Sequence, residues 1–243
     1  MDLALEVSQV SYTYPDGTRG LSELTLSIKK GECAGIIGPS GSGKSTLGMC
    51  LVGLFLPTQG KILIDGIEFN HKNFNQIRKK VGLIFQNPDD QLFMPTVFAD
   101  VAFGLLQQGN QDGELSQKVR KALSERGLLN LEQKFPGHLS QGEKRLAALA
   151  GVMAMEPELL ILDEPSSNLD PKSRRNLIEQ LKSLSNTRII LSHDLGMILE
   201  LSDRVILLYQ GRKIAEGPTP EILSDQKLML GYGLEVPISL QLK

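Results

Sequence analysis

Two stretches near the start of the chain, ALEVSQVSY (4–12) and LSELTLSI (21–28), alternate apolar and polar residues. That period of two is the pattern of a strand with one face buried. The YPDGT between them carries a Pro-Asp-Gly turn signal. A second kind of run follows. CAGIIG (33–38) is apolar throughout and ends in glycine, and VGLIF (81–85), LLILD (159–163), RIILS (188–192) and RVILLY (204–209) resemble it. Continuous runs of this sort suit strands covered on both faces, as in a parallel sheet. Helical patterns at 172–184 and 194–201 alternate with the later runs, which predicts an α/β fold. Residues 87–156 break the rhythm: they offer no strand run and hold helical patterns at 115–127 and 140–155. A helical insertion between two parts of the sheet is expected there.

Composition narrows the class. The 243 residues allow one large domain or two small ones with a sizeable core. Hydrophobic residues at 41% and charged residues at 22% are an ordinary globular balance. The net charge of −2 lacks the basic footprint of a nucleic-acid binder, so no nucleic-acid partner is expected. LAALAGVMAM (146–155) is shorter than the roughly 18 apolar residues that span a bilayer. The first residues show no basic region followed by an apolar one, so export is not expected. Cys33 and Cys50 lie in apolar stretches without paired spacing and are read as reduced core thiols.

GPSGSGKST (38–46) has the composition of a flexible linker but lies between two apolar stretches. Its spacing, Gly38-x-x-x-x-Gly43-Lys44-Ser45 after a strand and before a helix, is that of a phosphate-binding loop. Glycines let the backbone wrap a phosphate and aim successive N–H groups inward, and the following helix adds the positive end of its dipole. Lys44 is expected at the β- and γ-phosphates of a nucleotide and Ser45 at Mg²⁺. Gly38, Ser40, Gly41, Ser42, Gly43 and Thr46 complete the cradle.

LLILDE (159–164) ends in two adjacent carboxylates. Alternation along a strand predicts that Asp163 and Glu164 point in different directions, one towards Mg²⁺ and the other towards the γ-phosphate. In LSQGE (139–143), Ser140 and Glu143 fit a capping box, which by itself needs no ligand. The same helix N-terminus, with Ser140 and Gly142 exposed, is also an anion site. One ATP needs only one such site. Two of them point to ATP held between two chains.

In their order, these motifs resemble those of the ATP-binding subunits of ABC transporters, over most of the chain. The resemblance implies a P-loop NTPase (RecA-like) core at 1–86 and 157–217 that carries an antiparallel β subdomain. It also implies a helical signature subdomain at 87–156 and a short tail at 218–243. Tyr14 would stack on adenine, and Gln86 would link Mg²⁺ and the attacking water to the helical part. Asp163 would hold Mg²⁺, Glu164 would be the catalytic carboxylate, and His193 the switch histidine. Ser140, Gln141, Gly142 and Glu143 would face the nucleotide of a partner chain, and Asp170 would belong to the D-loop, SNLD (167–170). Outside that context Tyr14 reads as an ordinary strand tyrosine and His193 as a strand-end histidine. His71 and His138 lie in no motif and are read as structural.

Two departures from the family pattern stand out. Gln141 replaces the first glycine of the signature and Glu143 its terminal glutamine. The arginine expected three residues later is Leu146, with Arg145 one place early. A weaker signature is expected, and an asymmetric partner is compatible with it.

FQNPDDQLFMPTVFADVAFG (85–104) resembles the energy-coupling factor group, importers of vitamins or of cobalt and nickel. That implies a second ABC ATPase subunit, of the same or a related chain, together with a transmembrane coupling subunit and a substrate-binding membrane subunit. The chain would sit peripherally on the cytoplasmic face of the membrane. Leu92, Phe93 and Met94 precede Pro95 in an expected loop, and they are expected to help form a groove for a helix of the transmembrane subunit. Two rivals differ in class. A soluble ABC ATPase acting on nucleic acid or ribosomes calls for duplicated cassettes, coiled-coil insertions or basic arms. A small-molecule kinase calls for an acceptor pocket in place of the signature helix.

Overall fold

The computed structural model describes residues 2–110 and 112–241. β1 (Leu3–Thr13) and β2 (Arg19–Lys29) pair antiparallel across a turn in which the Asp16 carboxylate accepts from the Thr18 N–H at 2.9 Å. The other edge of β1 carries β4 (Gln59–Ile64), which turns back into β5 (Ile67–Glu68). These two strands escaped the pattern reading, because β4 begins with three exposed residues and buries only Ile62 and Ile64. The hairpin between them was nonetheless written in the sequence. Asp65-Gly66 takes φ of 52° and 72°, the left-handed pair that a tight hairpin demands.

The second sheet has strand order β10-β9-β3-β8-β7-β6. β3 (Cys33–Ile37), β6 (Val81–Ile84), β7 (Leu159–Asp163), β8 (Thr187–Leu191) and β9 (Arg204–Tyr209) run parallel. β10 (Arg212–Pro218) closes one edge antiparallel to β9. All five residues of β3 and of β7 are buried, as their unbroken apolar runs predict for strands covered on both faces. Two buried clusters lie on the two sides of this sheet: Leu160 and Leu162 of β7 belong to one, Leu159 and Ile161 to the other.

Ten helices are described. α1 (Lys44–Leu51) and α2 (Phe74–Arg78) precede β6. α3 (Val97–Gln107), α4 (Asp112–Glu125) and α5 (Gln141–Ala154) lie between β6 and β7 in the chain and pack on one another. α3 starts where the Thr96 hydroxyl accepts from the Ala99 N–H at 3.1 Å. α6 (Pro171–Lys182) joins β7 to β8 and α7 (Leu195–Leu201) joins β8 to β9. Residues beyond β10 form α8 (Thr219–Ser224), α9 (Gln226–Gly231) and α10 (Ile238–Gln241), and Leu223, Met229 and Leu234 sink into the same core as α3–α5. Each such burial stabilises by about 1.5–3 kcal/mol, so this segment is packed, not trailing.

The strand order positions the site. Register sets Leu191 of β8 beside both Ile36 of β3 and Asp163 of β7, and Ile84 of β6 beside Leu162. The carboxyl ends of β3, β8, β7 and β6 therefore stand in a row, where open α/β sheets form their ligand crevice. Residues 38–46, 192–194, 163–164 and 86 all stand at or just beyond those ends.

Candidate functional site

The loop after β3 is bent by glycines whose neighbours exclude a side chain. A Cβ at Gly38 would lie 2.3 Å from the Leu208 carbonyl oxygen, and one at Gly43 (φ 104°) 2.6 Å from that of Gly20. α1 begins immediately after Gly43, and no side chain caps it. Its first N–H groups are thus left for a ligand. The Ser42 hydroxyl is buried and has no hydrogen-bond partner among the described residues, so it too is available to a ligand. Ser40 and Gly41 are exposed at the mouth of the loop, and buried Thr46 bonds the Tyr14 hydroxyl at 2.8 Å.

The Lys44 ammonium is buried and donates to the carbonyls of Gly38 at 2.7 Å and Pro39 at 3.1 Å. Burial pushes its pKa below the ordinary lysine value, and the nearby Glu164 and Asp163 carboxylates oppose that shift. The Ser45 hydroxyl donates to Asp163 Oδ1 at 3.4 Å. Burial raises the Asp163 pKa, with the Ser45 bond acting against it.

Asp163 and Glu164 diverge, but not through strand alternation. β7 ends at Asp163, and Glu164 takes a positive φ of 44°, a left-handed conformation that a residue with a side chain adopts at a cost. That twist turns Glu164 towards β8. Its Oε2 accepts from the Ser192 hydroxyl at 2.8 Å, and both its oxygens accept from the His193 N–H at 3.2 Å. His193 Nδ1 stands 2.9 Å from Glu164 Oε1, on a ring that is largely exposed. Next door, Asp194 caps α7 through the Met197 N–H, accepts from Arg174 at 2.6 and 2.8 Å, and accepts from the Ser166 hydroxyl at 2.9 Å.

Gln86 lies two residues beyond the end of β6, with an exposed side chain that makes no hydrogen bond to another described residue. Tyr14 is half-buried beside Thr46, with its ring edge-on to Tyr12 and Phe55 at 5.0 and 5.7 Å. Ser140 caps α5 in a complete capping box with Glu143. Gly142 sits where a Cβ would lie 2.5 Å from the Ser173 hydroxyl of α6, so the start of α5 rests on the start of α6. Asp170 caps α6, accepting from the Lys172 and Ser173 N–H groups at 3.0 and 3.1 Å. Gln141 is exposed at the first position of α5. The phosphate loop and the start of α5 share no hydrogen bond among the described residues.

Residues 21–167 match the ABC transporter family model, more than half of the chain. The chain belongs to the ABC transporter ATPase family. A Gloeobacter violaceus protein, provisionally named an ABC transporter ATP-binding protein, is 48% identical over 97% of this chain and 98% of its own length. The energy-coupling factor transporter ATP-binding protein EcfA of Methanothermobacter thermautotrophicus is 42% identical over 96% of the chain and 76% of that protein. Among solved structures, CbiO1 of Clostridium perfringens, part of the transporter complex CbiONQ, superposes with a TM-score of 0.84. It is 35% identical over 100% of this chain and 99% of CbiO1. A cassette solved as a dimer in a post-hydrolysis state with ADP and Pi gives 0.80 at 28% identity, over 88% of this chain and 98% of that one.

This ABC ATPase therefore binds and hydrolyses nucleotide, and the relatives it resembles include an energy-coupling factor transporter ATP-binding protein. No helix among its described residues is long and apolar enough to cross a membrane. The cassette also presents an apolar groove of about 240 Å³ between the 85–93 segment, α3 and α5. Phe93, 63% exposed, stands at its rim edge-on to Phe103 at 5.1 Å. Leu92 and Met94 are only half-buried. Below the rim, the half-buried Asp100 carboxylate accepts from the Phe93 and Met94 N–H groups at 2.9 and 3.0 Å, shaping the loop.

Sequence reasoning missed three residues in this site and misjudged a fourth. Ser192 was passed over as the end of a strand, although a hydroxyl one place before His193 was the available signal. Asp194 and Arg174 form a pair 20 residues apart that no motif announces. Arg145 was seen only as an arginine out of place.

Proposed function

We propose that this chain is the ATP-hydrolysing subunit of an energy-coupling factor type importer. It pairs with a second ABC ATPase chain around two Mg-ATP and drives a transmembrane coupling subunit and its substrate-binding partner from the cytoplasmic face of the membrane. One observation carries the reading: the cassette has two helix N-termini suited to anions, α1 behind 38–46 and α5 behind Ser140, in separate parts of the chain. Each serves a different nucleotide. The likeness to EcfA and to CbiO1 along the chain supports the importer type.

In this reading the N–H groups of 40–46 take the phosphates, and Lys44 turns its ammonium from the Gly38 and Pro39 carbonyls to the β- and γ-phosphates. The buried, partnerless Ser42 hydroxyl gains an acceptor. Tyr14 offers its ring to adenine. Ser45, Asp163 and Gln86 offer a hydroxyl, a carboxylate and an amide oxygen, the hard donors that Mg²⁺ prefers. The ion supplies charge neutralisation at the phosphates.

Glu164 is the general base, its carboxylate held by Ser192 and by the His193 backbone; His193 and Gln86 sense the γ-phosphate. Ser140, Gln141, Gly142, Glu143 and Asp170 of the facing chain complete the site. Each charge-assisted bond to the γ-phosphate is worth about 1.5–3 kcal/mol, so several of them over two sites decide whether the pair is closed. Losing the γ-phosphate reopens it.

Membrane docking through the groove at Phe93 gives the decisive experiment. The aspartate variant Phe93→Asp is expected to keep nucleotide binding and basal turnover while losing co-purification with a membrane subunit from the native host. A folded variant that still co-purifies would place the docking surface elsewhere. A wild-type chain that captures no membrane protein would remove the importer assignment.

A further inference from the structure

Two side chains of α5 fasten the segment that follows β6. Lys144 Nζ donates to Asp89 Oδ1 at 2.6 Å. Arg145 spans two successive carbonyls, with Nη1 donating to Phe85 O at 2.5 Å and Nη2 to Gln86 O at 2.7 Å. Arg145 is 2% exposed, and its Nε is buried with no partner among the described residues. Burial pushes its pKa down to about 10, with the nearby Asp163 carboxylate opposing that shift.

An arginine is an expensive way to fill such a space. A buried charge with an unmet donor costs free energy that an apolar residue of similar volume avoids. What the planar fork provides is a rigid grip on two adjacent carbonyls, which neither an apolar residue nor a lysine reproduces. The exposed Gln86 side chain makes no hydrogen bond to another described residue, so its position is set through the backbone: Arg145 grips the Phe85 and Gln86 carbonyls, and Gln91 Oε1 accepts from the Phe85 N–H at 3.3 Å. At the other end of the link, α5 is one unbroken helix from Gln141 to Ala154, capped by Ser140. A rigid rod therefore connects Ser140 to the residue that holds Gln86.

We propose that Arg145 is a positioning residue that makes the Phe85–Gln86 backbone move with α5. The seating of Ser140 against a facing chain then sets the placement of Gln86 in this chain's own site. The inference rests on the roles assigned above to Gln86 and the signature. It turns the arginine that seemed displaced in the sequence into the link between two nucleotide sites.

The test is a double-mutant cycle on ATP turnover by the full-length chain, with Gln86→Ala and Arg145→Met singly and together. A misplacement of about 1 Å can cost on the order of a hundredfold in rate, so Arg145→Met should lower kcat by roughly tenfold to a hundredfold and move KM by less than about threefold. In the Gln86→Ala background the same change should cost less than about twofold, because residues that act as one unit are not additive. Should Arg145→Met fail to fold, Arg145→Lys is read in its place, with kcat still reduced since lysine lacks the fork. Failure of both to fold makes Arg145 purely structural and overturns the proposal. So do losses that multiply across the cycle, or folded Arg145 variants with wild-type turnover. If Gln86→Ala itself turns over like wild type, the assignment of Gln86 falls and takes this proposal with it; an impaired Gln86→Ala beside normal Arg145 variants sinks the proposal alone.

Discussion

The Glu143 carboxylate accepts from both the backbone N–H and the hydroxyl of Ser140, at 2.7 and 2.9 Å, and the Ser140 hydroxyl in turn accepts from the Glu143 N–H at 3.3 Å. The Ser140 donors are thus turned inward, onto the residue that stands where the family carries a glutamine. The N–H and hydroxyl bonds from Ser140 hold the Glu143 pKa below the usual glutamate value, so the group is charged at neutral pH. In the proposed pair this charge faces a phosphate.

Glu143→Gln should therefore strengthen ATP-dependent pairing. Glutamine completes a capping box as glutamate does, so the helix start survives. Two unit charges 4 Å apart in water repel by about 1 kcal/mol, which makes the expected tightening about fivefold or more. Sedimentation with ATP under non-hydrolysing conditions measures it. An unchanged or weaker dimer would remove Glu143 from the interface.

Glu164→Gln tests the general base. The amide keeps an acceptor for Ser192 and the His193 N–H but cannot take a proton from water. Turnover should fall by about 10²–10⁴, the usual worth of general-base catalysis, while nucleotide binding persists. The variant should accumulate as an ATP-bound dimer on size-exclusion chromatography. Turnover within a few-fold of wild type contradicts the assignment.

Lys44→Ala and Ser140→Ala should fail in different assays. Lys44 brings a point charge to the phosphates of its own chain, so its loss should weaken nucleotide binding by the isolated chain. Ser140→Ala should leave that binding intact and impair only pairing and turnover. Fluorescent-nucleotide titration of each variant separates them. Equal losses of affinity would refute a site shared between chains.

Asp194→Asn should destabilise the fold in a pH-dependent way. Burial pushes the Asp194 carboxyl up, but its bonds from Arg174, the Met197 N–H and Ser166 outweigh that and hold its pKa below the ordinary 3.8. A depressed folded-state pKa stabilises above the unfolded value, and the benefit is lost as pH falls towards the folded one. Denaturant unfolding at pH 7 should show a loss of about 1.5–3 kcal/mol, the worth of a hydrogen bond to a charged group. The gap from wild type should narrow as pH drops below 3.8. A gap independent of pH would show that charge plays no part.

Much of the site was legible because its parts are local. The phosphate loop, the paired carboxylates after β7 and the signature each occupy a few consecutive residues whose types follow from their chemistry. The buried strands were legible for a similar reason, since β3 and β7 must be apolar at every position to be covered on both faces. β4 and β10 were not, because a half-exposed strand is defined by the neighbour it pairs with. The divergence of Asp163 and Glu164 was expected for a reason the backbone does not follow: β7 stops, and a left-handed residue makes the turn.

By itself, then, the sequence determined which residues are the candidates for phosphate chemistry and where the sheet would be buried, since both depend on spacing along the chain. Only the tertiary structure decided how those residues serve one another. Ser192 reaches Glu164 across 28 residues and Arg145 reaches Gln86 across 59. Such pairings exist only because parallel strands set their carboxyl ends side by side and α5 packs against the end of β6. No local pattern encodes a contact whose two halves are brought together by the packing of everything between them.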